Sequence, residues 1–181
     1  NIAVVFGGMS CENEISVMTG TMAAHVLDRE RYVSHPVYLA QSGKFYTGKA
    51  LFDVANFRSG IESKAEEALF LDGKLCTVKG KKIKEVAWID CGINGCHGMG
   101  GEDGTVSALF ALNRIPCASP GMAGSSVFMD KGLTKLVAKA LGIKSAPWFR
   151  IGEAEYKKRA AMALRCVEER IGYPVIVKPA R

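Results

Sequence analysis

The apolar positions of this chain switch repeatedly between a strand rhythm and a helix rhythm. Residues 2–6 form a short unbroken apolar run that stops at Gly7-Gly8, the mark of a strand buried on both faces. Beyond it Ile15, Met18, Met22 and Val26 recur at helical spacing on one face, and Ser10 is placed to cap that helix. A second strand is expected over 32–40, where Val33, Val37 and Leu39 share a face. Residues 44–85 give a weaker signal, read as an excursion from the main sheet, with a hairpin around Lys79-Gly80-Lys81. Strand 86–91, helix 105–113 and strand 115–118 resume the alternation, which predicts an α/β fold built on an open parallel sheet with right-handed crossovers.

After Ser119-Pro120-Gly121 the organisation changes. Helical patterns cover 123–129 and 133–141, with Gly142 as a C-terminal stop, and a charged amphipathic helix covers 153–171. Gly172-Tyr173-Pro174 ends that helix, and 175–178 is expected to be a strand that lacks a partner in the segment. The expected division is therefore residues 1–120 and 121–181, the second being the start of a domain cut short. Charge divides in the same region. Residues 131–181 hold 12 Lys/Arg against 4 Asp/Glu, whereas the first 130 residues are slightly acidic.

A chain of 181 residues with 48% hydrophobic content can bury a good core, which excludes disorder. No run approaches the roughly 20 apolar residues of a membrane span, and no signal-peptide pattern opens the chain. Six cysteines without paired short spacing suit free thiols in a reducing compartment, so a cytoplasmic protein is expected. The basic last third lacks the interleaved aromatics of a nucleic-acid surface, and no nucleic-acid partner is expected. Cys91, Cys96 and His97 lack the paired ligand spacing of a metal site.

Candidate chemistry concentrates in Asp90-Cys-Gly-Ile-Asn-Gly-Cys-His97-Gly-Met-Gly-Gly-Glu102-Asp103-Gly104, which reads as a strand end, a glycine-rich elbow and a helix start. Glycines there let backbone N–H groups approach a bound group, although a capped structural turn gives the same pattern. Glu12 is the other candidate. Its carboxylate, just past Gly7-Gly8, either pairs with a ligand ammonium or favours the dipole of the helix it opens. Gly7-Gly8-Met-Ser-Cys-Glu is not G-x-G-x-x-G, which argues against a dinucleotide oxidoreductase.

Four motifs taken together carry a family resemblance. They are Val-Val-Phe-Gly-Gly-Met-Ser-Cys-Glu12-Asn-Glu14-Ile-Ser, His97-Gly-Met-Gly-Gly-Glu-Asp-Gly104, Met129-Asp130-Lys131 with Thr134-Lys135, and Gly172-Tyr-Pro-Val-Ile-Val-Lys178-Pro179. In this order and spacing the chain resembles the amino-terminal half of the D-alanine–D-alanine ligases, of the ATP-grasp superfamily. The resemblance implies a Rossmann-like pre-ATP-grasp substrate domain over 1–120 and the beginning of the ATP-grasp nucleotide-binding lid from 121 onward. It implies that Glu12 holds the amino group of the first D-alanine, that Ile15 lines the pocket for its methyl group, and that His97 lies near the second D-alanine. Lys131 and Lys178 match two lysines that reach the phosphates of ATP.

The activity implied is ATP-dependent joining of two D-alanines through an acyl phosphate, for peptidoglycan precursor synthesis, in a protein that is often a homodimer. The family's phosphate loop, its acidic Mg2+ ligands and a catalytic arginine are expected beyond Arg181, so the isolated chain is expected to be inactive. A sister enzyme that joins D-alanine to D-lactate or D-serine, or a non-catalytic module that binds substrate or pairs with a second copy, are the alternative readings.

Overall fold

The computed structural model describes residues 1–180. It contains strands β1 (Ile2–Gly7), β2 (Ser34–Leu39), β3 (Phe45–Thr47), β4 (Glu66–Leu71), β5 (Lys74–Lys79), β6 (Lys82–Trp88) and β7 (Cys91–Asn94). The helices are α1 (Asn13–Val26), α2 (Thr105–Leu112), α3 (Met122–Met129), α4 (Lys131–Ala140) and α5 (Glu153–Arg170). Two compact units divide the chain, Asn1–Ser126 and the residues from Val127 onward.

The first unit holds one seven-stranded sheet in the order β6-β5-β4-β3-β2-β1-β7. Every residue of β1 is buried, and the strand pairs parallel with β2 on one side and β7 on the other. Alternation along β1 divides the core between the faces of the sheet. Ala3 and Val5 join Val37, Phe70, Leu75, Val106 and Phe110 on the face covered by α2, whereas Ile2, Val4 and Phe6 join Val17, Ala24, Tyr38, Leu51 and Ile61 on the face covered by α1 and short 3-10 turns.

Several expectations are corrected in this unit. The sheet is mixed rather than parallel: only β2, β1 and β7 run together, and β3 to β6 add antiparallel neighbours. Strands β3 to β6 thus belong to the main sheet, and the excursion expected over 44–85 is confined to the 3-10 turns between β3 and β4. The reason is local, because Asp72-Gly73 and Gly80 adopt positive φ and reverse the chain in tight turns that leave no room for a crossover helix. The run over 86–91 is two pieces. Lys82–Trp88 closes a hairpin, Ile89 anchors in the core, and the strand entering the elbow is Cys91–Asn94. Residues 115–118 make a single bridge, Cys117 to Gly92, in place of a strand.

The stripe of Ile15, Met18, Met22 and Val26 lies on the exposed side of α1. Its buried side is built from Asn13, Ser16, Val17, Gly20, Thr21 and Ala24. Small residues let the helix lie close against β1, and the Gly20 Cα position leaves no space for a side chain over the Phe6 ring.

In the second unit the buried Asp130 caps α4, its carboxylate accepting from the amides of Gly132 and Leu133, and Arg150 pairs with the same carboxylate. Helix α5 is kinked at Arg159, whose backbone leaves helical geometry. Residues 175–178 form no strand, since no neighbouring strand exists in this unit among the described residues to complete a ladder.

Candidate functional site

The carboxyl ends of β1 and β7 each run into a glycine-containing turn, and two serines fasten those turns together. Gly7 and Gly8 both have positive φ, and a side chain on Gly7 would meet the Leu39 carbonyl at 2.4 Å, so only glycine lets the chain leave β1 there. Ser16, fully buried on α1, accepts from the Gly7 amide at 2.7 Å and donates to the Gly95 carbonyl at 2.7 Å. Ser10 accepts from the Glu12 amide and donates to the His97 carbonyl at 2.7 Å. Ser10 therefore ties the loop to the elbow and is not the helix cap; Glu12 occupies the N-cap position without a side-chain capping bond. Asn13 completes the loop, its side chain donating to the Gly8 carbonyl at 2.6 Å and accepting from the Tyr38 hydroxyl.

The elbow is ordered by its own polar residues. Asn94 donates to the Gly101 carbonyl and accepts from the Cys96 amide. Glu102 accepts from the Gly98 amide at 2.8 Å, and Asp103 from the amides of Gly100 and Thr105 and from the Thr105 hydroxyl. Burial alone raises the Asp103 pKa, but the bonds from Thr105, Gly100 and its own turn outweigh it and hold the carboxyl below its ordinary value. Gly104, in the left-handed region, then starts α2.

This geometry brings two of the sequence candidates onto one rim. A Cβ built on Gly98 would lie 3.4 Å from a Glu12 carboxylate oxygen, so Glu12 leans over the elbow at the residue after His97. The Glu12 side chain is exposed, and the half-buried His97 ring is held by Nε2 against the Thr19 hydroxyl at 3.1 Å. Ile15 is on the exposed side of α1, one turn along from Glu12. Lys131 and Lys178 belong to the second unit; both are exposed, and the Lys131 amide donates to the Ala180 carbonyl at 2.9 Å, which sets their two segments side by side.

Ser16, Thr19, Asn13 and Asn94 position this rim, and none of them stands out in a hydrophobic pattern. The available signal is the stripe Asn13, Ser16, Gly20 and Ala24, small and polar residues at three- and four-residue spacing beside a more conspicuous apolar stripe. Of the thiols, Cys96 is buried beneath the elbow, and burial pushes its pKa up to about 12, offset in part by Ser16. Cys11 is exposed. Among the described residues no group of three His, Cys, Asp or Glu side chains converges on a metal position, and no helix is long and apolar enough to cross a membrane.

An open α/β sheet whose parallel strands end in a glycine-rich, hydrogen-bonded rim is the architecture in which small ligands are held outside the carboxyl ends of strands. The family described as D-ala D-ala ligase N-terminus matches residues 1–120, and the chain belongs to that family. The D-alanine–D-alanine ligase of Thermosipho melanesiensis is 34% identical over 189 residues, covering 100% of this chain and 49% of the relative. That of Caldicellulosiruptor bescii is 32% identical over 196 residues, covering 99% and 50%. Among solved structures, a D-alanine–D-alanine ligase from Helicobacter pylori superposes with a TM-score of 0.73 at 29% identity, over 91% of this chain and 50% of the other. The chain spans about half the length of the curated relatives it matches.

Proposed function

We propose that this chain supplies the amino-acid-binding half of a cytoplasmic, ATP-dependent ligase that joins two D-alanines for peptidoglycan precursor synthesis. The observation that carries the proposal is the convergence of Glu12 with the His97–Gly98 elbow, fastened by Ser10 and Ser16. Glu12 accepts the ammonium group of the first D-alanine; a charge-assisted bond to an exposed carboxylate selects an amino acid over its hydroxy analogue. Ile15 lines the methyl pocket, a reading supported by its exposure on α1. His97, braced by Thr19, fixes the second D-alanine. Rigid glycine turns hold both substrates so that the second amine faces the first carboxyl, which is catalysis by positioning.

The second unit, and the residues from 121 that lead into it, begin the nucleotide-binding domain. Lys131 and Lys178 fit a polyphosphate by sign and by the adjacency of their segments, and they are the residues that would hold ATP here. When bound, ATP supplies the phosphate that activates the first carboxyl group. Mg2+ has no ligand set of three His, Cys, Asp or Glu side chains among the described residues.

The direct test is an amide NMR titration of the chain. D-alanine is expected to give saturable shifts at residues 10–13 and 95–98, D-lactate and L-alanine none, and Glu12→Gln to remove the response. Equal shifts from D-lactate overturn the role of Glu12, and no response to D-alanine overturns the reading. Competition between D-alanine, D-serine and D-lactate as second substrates, in a catalytically competent form, decides among the sister activities.

The exposed residues Met18, Met22 and Val26 support pairing of two copies through α1. Sedimentation is expected to show a dimer that Met18→Glu with Met22→Glu dissociates; a monomer in the unsubstituted chain overturns it.

A further inference from the structure

The C-terminal end of α1 and the start of β2 border an open, shallow cavity that the rim chemistry does not use. It measures about 460 Å³, within the range of small-ligand sites. Tyr32 and Phe52 are among its walls, and its polar groups are His25, Arg29, Lys49 and Ser34. Glu12 opens α1 and His25 lies in its last turn, so the two sites are separated by roughly 20 Å of helix.

The polar groups are arranged for an acceptor. Phe52 offers only a carbonyl oxygen to His25 Nε2, at 2.7 Å, so Nε2 carries the hydrogen; Arg29 offers only N–H to Nδ1, at 3.3 Å. Both contacts are met by one imidazole tautomer, which fixes the ring and tethers the guanidinium by a single nitrogen. The other guanidinium donors remain uncommitted, and neither Arg29 nor Lys49 forms an ion pair among the described residues. The Ser34 hydroxyl is buried with no hydrogen-bond partner and lies out of reach of a ligand, so the donors open to the cavity are those of Arg29 and Lys49. Asp28 and Glu30 are near in sequence, but no carboxylate belongs to the lining. Basic residues at the end of α1 also favour its dipole, which accounts for His25 and Arg29. It does not account for Lys49 in the same lining, whereas the aromatic rings have partners within the chain, His25 edge-on to Phe52 and Arg31 over Tyr32.

We propose that this cavity is a second ligand site, for a small organic anion that joins a flat apolar body to one carboxylate or phosphate group. The body lies between Tyr32 and Phe52, and the oxyanion takes the free donors of Arg29 and Lys49. The inference is independent of the ligase reading, because none of its residues belongs to the rim.

The test is an amide NMR titration of this chain with phenyl phosphate, using inorganic phosphate and phenol as separate probes. Phenyl phosphate is expected to give saturable shifts confined to residues 24–34 and 49–52, with neither fragment alone matching it. Arg29→Ala and Lys49→Ala are each expected to weaken binding about tenfold, as loss of one charge-assisted bond does. Lys49→Arg, which keeps the charge, is expected to retain most of the affinity, and the spectrum of each variant reports whether it is folded. Shifts centred on residues 10–13 and 95–98, the same response to inorganic phosphate, or affinity unchanged by both alanine variants would overturn the proposal.

Discussion

Gly20 and Phe6 are packed so tightly that a methyl group on Gly20 would lie 2.2 Å from the Phe6 Cβ and ring. Phe6 has no room to yield, since it is fully buried and its ring is flanked by Tyr38 and Phe57 at centroid distances of 6.2 and 6.0 Å. In an exposed helix interior, glycine to alanine gains about 1 kcal/mol from propensity. Here overpacking dominates, and Gly20→Ala is expected to destabilise the chain by a net 1–3 kcal/mol or so. Met18→Ala, on the exposed side of the same helix, is expected to stay within about 0.5 kcal/mol at concentrations where the chain is monomeric. Urea unfolding of the two variants checks both signs, and a stabilised Gly20→Ala protein would show that α1 shifts freely on the sheet.

A second consequence concerns Ser16, whose single hydroxyl serves two backbone groups from distant segments of the chain. Ser16→Ala leaves the Gly7 amide and the Gly95 carbonyl without that partner in a buried setting, at an expected cost of about 1–3 kcal/mol. Cysteine does not restore it, since a thiol is a weak donor and acceptor. Hydrogen exchange localises the effect: the Gly7 amide is expected to exchange faster in the variant, ahead of the rest of β1. Uniform acceleration across the sheet would instead mean that Ser16 contributes only to global stability.

How far the fold was legible depended on which signal each element carries. The unbroken apolar run of β1 announced itself, because burial on both faces leaves a distinct pattern, whereas α5 was legible through its charged amphipathic run and its Gly172-Tyr173-Pro174 stop, with Ala163 as its one buried residue. Helix α1 was found with its faces reversed. A conspicuous apolar stripe is read as core, but close packing on a sheet demands small residues, and Asn13, Ser16, Gly20 and Ala24 are small at the cost of hydrophobic signal. Among the antiparallel strands, β6 was obscured by its exposure, since all but one of its residues are exposed and its alternation marks no core, whereas β4 and β5 bury Ala68, Phe70, Leu75 and Cys76 in runs too short to reveal their pairing. At the site, Glu12 and His97 stood out through their motifs. Ser10, Ser16 and Thr19 act through contacts spanning 78 to 87 residues of sequence, which no local pattern encodes.

Asp103 gives the elbow a pH dependence whose sign follows from its hydrogen bonds. Its folded pKa is below the ordinary value, so folding favours the carboxylate and the unfolded chain binds the proton more readily. The stabilisation is fully present above the unfolded carboxylate pKa of about 3.9 and is lost as pH falls through the folded value. The stability gap between the unsubstituted chain and Asp103→Asn is therefore expected to be flat from neutrality down to weakly acidic pH and then to close. Acid titration followed by circular dichroism measures it. A gap that stays constant through the carboxylate range would mean that the neutral amide of the variant replaces every contact of the charge.

The contact between Thr19 and His97 ties the site to the helix that carries Glu12. Thr19 is half-buried on α1, and its hydroxyl is the group against which the imidazole Nε2 rests. Thr19→Val keeps the β-branched shape but removes the hydroxyl, so the backbone and the Glu12 carboxylate are expected to stay in place while the ring loses its brace. One neutral hydrogen bond corresponds to about 0.5–1.5 kcal/mol, or up to roughly tenfold in affinity. Thr19→Val is therefore expected to weaken D-alanine binding by that order with little loss of stability, and Thr19→Ser, which restores the hydroxyl, to recover it. The nitrogen shifts of the His97 ring distinguish positioning from bulk packing, since they are expected to change in the valine variant and return in the serine variant. Ring shifts unchanged in all three proteins would mean that Thr19 does not position His97, and the orientation of the imidazole would then rest on the elbow alone.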